Sequence, residues 1–217
     1  MAGAYLDMQN RIADEINRSD LGSQIQNAIQ TAILYYETED SLWFTEGRFL
    51  INTVASQDRY VIPDTLLNED GSTITPRVTL LDVDQMVCNF NNWFQPLKPV
   101  TWGWIDTYQI PTYTGQPYYY GRLQNMIRFA PTPNGVYQVI ITGTTRLPTL
   151  VNPTDTNAWM TEGEWLIRSR AKAILWRAVL RDMDEAKLCE EEESLALAAL
   201  QRKESSRITN RASAWGY

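Results

Sequence analysis

Histidine is absent from this sequence of 217 residues, and cysteine occurs only twice, at Cys88 and Cys189. The lack of histidine excludes histidine-based catalytic triads, histidine general bases and histidine metal ligands. The two cysteines lie far apart and form no C-x-x-C pair, so no zinc cluster is predicted. We expect both cysteines to be small buried residues in a reducing compartment, and we expect no metal and no cofactor.

Long hydrophobic runs and glycine-rich phosphate motifs are also lacking. No segment approaches the ~20 consecutive apolar residues that cross a bilayer, so we predict no membrane partner. The glycines are scattered, without G-x-x-x-x-G-K-[ST] or G-x-G-x-x-G spacing. Carboxylate pairs such as Asp82 and Asp84, or Glu162 and Glu164, are common on protein surfaces. We therefore predict a protein that is not an enzyme and has no catalytic residues.

The composition is that of a globular protein, with 44% hydrophobic and 21% charged residues. The net charge of −7 disfavours a protein that grips nucleic acid across a broad basic face. A protein that DNA merely passes remains compatible with this charge.

Two apolar stripes at helical spacing occupy the first 44 residues. Ser19 or Asp20 can cap the second helix, because a short side-chain oxygen accepts from the amides of the first turn. The stripes are Tyr5, Met8, Ile12 and Ile16, followed by Leu21, Ile25, Ala28, Ile29, Ala32, Ile33 and Tyr36. Neither helix can bury its stripe alone, so both need partners elsewhere in the chain.

Short alternating segments separated by turn residues fill residues 45–155. Residues 48–54 and 59–62 alternate on either side of residues 55–58, which predicts a hairpin. Further strands are predicted at 78–83, 86–90, 126–129 and 137–142. This spacing favours a small antiparallel sheet or sandwich.

Helical periodicity returns after residue 156. Thr161 and Glu164 form a capping-box pattern, and Asp182 can cap a further helix. We therefore predict an α+β fold in which both termini form a four-helix bundle around an inserted antiparallel β domain. The predicted parts are residues 1–44 and 156–202 as the two halves of the bundle, 45–155 as the β domain, and 203–217 as an extended C-terminal tail.

Aromatic residues are concentrated in the predicted β domain. They can form a subunit interface, cross-strand packing, or a platform on which sugar rings stack. The candidates are Trp102, Trp104, Tyr108, Tyr118, Tyr119 and Tyr120. The sugar-stacking alternative would make the chain a carbohydrate-binding or cell-wall-degrading module.

Two charged segments close the sequence. Glu190, Glu191, Glu192 and Glu193 span about one helical turn, and are either a solvated helix or an acidic surface that DNA slides past. The tail is either a solvated, frayed terminus or a docking peptide, for which basic residues with aromatic anchors are typical. Its candidate docking residues are Arg202, Lys203, Arg207, Ile208, Arg211, Trp215 and Tyr217.

Three groups of residues, in this order along the chain, resemble the head-to-tail adaptor (connector) proteins of short-tailed bacteriophages. The first group is residues 12–21 with 25–29 and 43–44. The second is residues 115–118 with 127–133 and Tyr137. The third is residues 157–159 with 166–167 and 170–171.

The resemblance implies a structural virion protein at the head–tail junction, assembled in the bacterial host cytoplasm. It implies a dodecameric ring beneath the portal protein that extends the DNA channel toward the tail, with DNA passing without specific binding. The C-terminal tail would dock on the portal protein. The β domain would face a nozzle or tail-tube protein.

Overall fold

The computed structural model describes residues 4–39, 42–62, 64, 66–74, 78–108 and 113–213, with helical side chains described as far as Ser205. Within these residues the chain forms six α-helices, one π-helical turn and eleven strands, numbered along the chain. The predicted mixed α+β fold is therefore confirmed. The chain divides into two compact units, Met1–Thr45 with Thr149–Tyr217, and Glu46–Pro148.

The helical unit is organised around α5, which packs against α1, α2, α4 and α6. Its elements are α1 Tyr5–Glu15, α2 Gly22–Glu39, α4 Ala158–Thr161, α5 Glu164–Leu175, the π-helical turn Trp176–Leu180, and α6 Met183–Ser213. The partners that the two N-terminal helices need thus come from the far end of the chain.

Both N-terminal stripes face the interior of this unit. All four residues of the first stripe are buried, and Ile12 is fully inaccessible. In the second stripe every residue is buried except Ile33, which is half-buried. Burial of one face per helix is what an apolar repeat of 3.6 residues produces.

The helix boundaries at the C-terminal end differ in part from those expected. Asn157, and not Thr161, caps a helix: its side chain accepts from the amide of Trp159 at 3.0 Å. Thr161 ends α4, and α5 begins after Gly163. Asp182 caps α6 as predicted, since its Oδ1 accepts from the amides of residues 184 and 185 at 3.1 and 3.2 Å.

The prediction of an extended tail from residue 203 onward is wrong as far as Ser213, because α6 continues as a helix to that residue. Residues 201–204 are good helix formers, and no glycine or proline interrupts the chain from 201 to 213. Residues 214–217 lie outside the described residues.

The β unit contains two main sheets, one two-stranded pair and the helix α3, Trp102–Tyr108. The first sheet has β1 Glu46–Asn52, β11 Gln138–Arg146, β4 Gln85–Phe90 and β5 Trp93–Pro96 in that order, with β3 Thr79–Leu80 paired to β11. The second has β2 Arg59–Val61, β9 Met126–Ala130, β8 Tyr119–Leu123 and β6 Lys98–Pro99. The small pair is β7 Thr114–Gly115 with β10 Thr132–Pro133.

The predicted hairpin between residues 48–54 and 59–62 is wrong. Phe49 of β1 pairs with Ile141, whereas Tyr60 of β2 pairs with Ile127, so the two strands enter different sheets. Both sheets contribute to one buried core, in which Phe129 and Ile141 are inaccessible. Alternation identifies a strand with one buried face, but it does not identify the partner strand.

Candidate interaction surfaces

The first half of the aromatic run folds as α3. Thr101 precedes this helix, and its Oγ1 lies 3.3 Å from the Trp104 amide. Trp104 and Tyr108, four residues apart, stack with ring centroids 4.5 Å apart and planes 16° apart. Tyr119 of β8 approaches both rings, at 4.8 and 5.5 Å. Three of the predicted aromatic residues therefore form one cluster, and burial raises the pKa of Tyr108.

Trp102 lies apart from that cluster, over a buried cation. The Arg128 guanidinium is 5.6 Å from the Trp102 ring centroid. Arg128 Nε donates to Asp58 at 2.6 Å, and its Nη1 donates to Asp106 of α3. These contacts fasten α3 to strand β9 of the same unit. Sequence reasoning missed this cluster, because its members are separated by up to 70 residues.

The remaining two tyrosines differ in position, since Tyr118 precedes β8 and Tyr120 lies within it. Tyr118 is exposed, whereas Tyr120 is buried in the core, where desolvation raises its pKa. Tyr120 therefore does not belong to a surface, which corrects the prediction for this residue. The exposed Tyr118 and the half-buried rings of Trp104 and Tyr119 stay accessible in part.

Among the described residues, the most exposed aromatic side chains lie on the hairpin of β4 and β5. Trp93 is 72% exposed and Phe94 56% exposed. The turn between the strands consists of Asn91 and Asn92, with φ of 49° and 65°. Asparagine tolerates this left-handed conformation better than most residues. The Asn-Asn pair between aromatic residues, in a segment without charge from 85 to 97, was the signal that sequence reasoning overlooked.

The four consecutive glutamates do not share one environment. Glu190 is paired with Arg177, and Glu192 accepts from Lys172 at 2.9 Å. Glu193 is buried, so it is not part of an exposed acidic surface. Glu191 is exposed. One turn of helix directs these side chains around its axis, which explains why neighbours in sequence differ in burial.

Buried Glu193 is held by two donors. The Tyr36 hydroxyl donates to its Oε1, and Arg170 Nη1 lies 3.1 Å from the same oxygen. The Arg170 guanidinium also lies 3.8 Å from the ring centroid of Tyr35. Burial, followed by the bond to Glu193, raises the pKa of Tyr36. This network is structural: it joins α2, α5 and α6.

A second set of charges attaches α1. Glu15 lies 2.8 Å from Arg168 Nη1 and 2.8 Å from Lys172 Nζ, both on α5. Arg11 contacts Glu164 at 2.7 Å. These pairs flank the buried stripe of α1 and align it on α5.

The candidate docking residues of the C-terminal segment have different positions. Arg202 is exposed on α6, while Lys203 is paired with Glu162 and lies 5.1 Å from the ring centroid of Trp43. Residues 207, 208 and 211 lie within the helical range of α6. Trp215 and Tyr217 lie outside the described residues.

No catalytic arrangement emerges from the residues that the structure describes. They contain no group of three or more acidic or cysteine side chains placed to hold a metal ion. Both cysteines are buried thiols, and desolvation raises the pKa of Cys88 to about 11. A thiol with that pKa is a poor nucleophile at neutral pH. Among the described helices, none has the length and apolar character of a membrane span.

The chain is a member of the SU10 adaptor protein family, whose family model matches residues 4–215. It is therefore a phage adaptor protein and a virion component, which confirms the resemblance to head-to-tail adaptors. No curated protein matches the sequence.

Proposed function

We propose that this chain is the subunit of a dodecameric ring that joins the portal protein to the tail and extends the DNA channel. In this proposal α1, α2, α5 and α6 form the bundle of each subunit. The C-terminal segment docks on the portal protein. The β unit meets the nozzle or tail-tube protein. Membership of an adaptor family is the observation that carries the proposal.

The course of α6 supports the docking role. Leu200 is buried, and residues 201–203 are exposed. The helix nevertheless continues to Ser213. Residues 202–217 contain four basic side chains against one glutamate and end in Trp-Gly-Tyr, so this segment combines charge with large apolar rings. A weak contact of this kind, repeated around a ring, becomes strong through avidity.

The charge distribution supports passage of DNA without binding. The chain carries a net charge of −7, and Glu191 is exposed on α6. Because carboxylates repel phosphate, a channel lined by such residues would not hold DNA. We propose this role for the exposed part of the glutamate run.

Mixing the chain with the portal protein of the same phage tests the proposal. Native mass measurement and projection imaging are expected to show a discrete ring on the portal protein. Trp215→Ala with Tyr217→Ala should weaken docking, whereas Trp93→Ala removes an exposed tryptophan from the β unit and should leave it unchanged. A mixture that shows no complex at any ratio contradicts the proposal.

The β unit gives a separate test with the nozzle or tail-tube protein. Tyr118→Ala and Trp104→Ala should weaken binding of that component, with portal docking unchanged. The carbohydrate-binding alternative is less well supported, because Trp104, Tyr108 and Tyr119 contact one another. It predicts that peptidoglycan fragments quench tryptophan emission or are cleaved, and the adaptor proposal predicts neither result.

A further inference from the structure

A layer of four aromatic rings crosses the helical unit. Trp43 meets Phe44 edge to face with centroids 5.5 Å apart, and Phe44 meets Trp159 in the same way at 4.9 Å. Tyr36 of α2 lies 6.4 Å from Trp159. Trp159 is inaccessible, whereas Trp43 is half-buried at the rim. We call these four residues the aromatic layer.

Lys203 of α6 covers the rim of the aromatic layer. Its ammonium group lies 5.1 Å from the Trp43 ring centroid and forms an ion pair with Glu162. The side chains of Lys203 and Glu162 are 50% and 36% exposed. Exposed ion pairs and cation–π contacts contribute little free energy, so a competing partner can displace this contact.

Trp43 also belongs to the segment through which the chain leaves the helical unit. Thr45 is the last residue of the N-terminal part of the helical unit, and it is 2% exposed. Its amide and its hydroxyl both donate to the Leu42 carbonyl, each at 2.7 Å. We call residues 42–45 the exit turn. The next residue, Glu46, begins β1 of the other unit.

We propose that Lys203 couples the C-terminal segment to the exit turn. In the isolated chain Lys203 holds α6 against Trp43 and Glu162, and so keeps the exit turn closed. A partner that captures the segment after Lys203 draws the end of α6 away and releases Trp43. Docking of the C-terminal segment thereby loosens the exit turn. The identity of that partner as a portal protein rests on the proposed function.

The first test uses the isolated full-length chain and needs no partner. Hydrogen exchange at the Thr45 amide, followed by NMR, reports opening of the exit turn. Lys203→Gln should speed this exchange roughly three- to tenfold, because local opening becomes easier. Arg202→Gln removes the adjacent exposed cation and should leave the rate unchanged. Equal rates in Lys203→Gln and the unmodified chain would overturn the proposal.

The second test adds the portal protein of the same phage. Saturating portal protein should speed Thr45 exchange in the unmodified chain and have little further effect on Lys203→Gln. Docking without any change at Thr45 overturns the coupling and leaves the docking role intact. Absence of docking overturns the proposed function and the partner-driven step, while the first test still decides whether Lys203 holds the exit turn.

Discussion

Tyr36 of α2 and Glu193 of α6 form a buried hydrogen bond, with the phenol donating to the carboxylate. Arg170 of α5 provides the compensating charge, 3.1 Å from the same oxygen. The Glu193 side chain is only 10% exposed. One carboxylate thus joins three helices of the helical unit, and its removal should have consequences beyond its own helix.

Glu193→Ala should lower the free energy of unfolding by about 3 kcal/mol, because it leaves the Arg170 and Tyr36 donors without their acceptor. Tyr36→Phe should cost about 1 kcal/mol, the usual net contribution of one hydrogen bond. Glu191→Ala, an exposed member of the same run, should stay within about 0.5 kcal/mol of the unmodified chain. Urea unfolding measures all three, and equal midpoints for the two glutamate variants would contradict the assignment.

Alkaline pH should destabilise the helical unit through Tyr36. Burial and the bond to Glu193 raise the pKa of Tyr36 above its ordinary value of 10.0. Above that pH the unfolded chain loses a proton that the folded chain retains, so stability present below pH ~10 is lost as the pH rises further. Between about pH 8 and about pH 11, the Tm of Tyr36→Phe should fall less than that of the unmodified chain. If the Tm of both chains fell equally with pH, Tyr36 would not contribute to the alkaline loss of stability.

Arg128 should be important for the β unit. Arg128→Met removes the partner of Asp58 and Asp106, and should cost about 2 kcal/mol. Arg128→Lys should recover only part of this loss, because an ammonium lacks the planar fork that reaches both carboxylates. Arg48→Met breaks an exposed ion pair with Glu69 and should cost less than about 0.5 kcal/mol. Thermal unfolding compares them, and a Lys variant as stable as the original chain would disprove the two-carboxylate role.

Gly143 of β11 should tolerate no side chain. A Cβ at this position would lie 2.1 Å from the backbone oxygen of Asp82. Because backbone would have to move, Gly143→Ala should cost about 3 kcal/mol or more. Gly135→Ala, where no atom lies within 4 Å of the added carbon, should change stability by less than about 0.5 kcal/mol. Similar Tm values for the two variants would show that the strand adjusts without cost.

A chain that ends at Ser205 should fold normally and fail to dock. It retains Leu200 and the Lys203 contact, so its Tm should lie within about 2 °C of the full-length value. Its affinity for the portal protein should fall at least about tenfold, since the basic and aromatic residues are lost. Undiminished docking by the shortened chain would place the portal contact elsewhere.

The helical part of the fold could be predicted well because its signals are local. Tyr5, Met8 and Ile12 repeat at helical spacing, and all three are buried. Six of the eleven strands in the described residues were predicted close to their positions, whereas β5, β6, β7, β8 and β10 were missed. The partners of the strands were not predicted, because the pairing of Phe49 with Ile141 joins residues remote in sequence.

The candidate surfaces were harder to predict, since neighbours in sequence have different environments. Glu191 is exposed and Glu193 is buried, although both belong to one run of glutamates. Tyr118, which precedes β8, is exposed, whereas Tyr120 within β8 is buried. Arg170 and Lys172 of α5 form ion pairs with Glu193 and Glu192 of this run. Had the helix after Thr161 been paired with the glutamate-containing helix at the sequence level, these ion pairs could have been predicted.

The central position of α5 has a consequence for synthesis of the chain. A ribosome completes α1 and α2 long before Glu164–Leu175, the helix that covers them. The whole β unit is made in the interval, with every strand it requires. The nascent chain therefore carries two uncovered apolar stripes while the β unit can already fold, and only release of the last third of the polypeptide closes the helical unit.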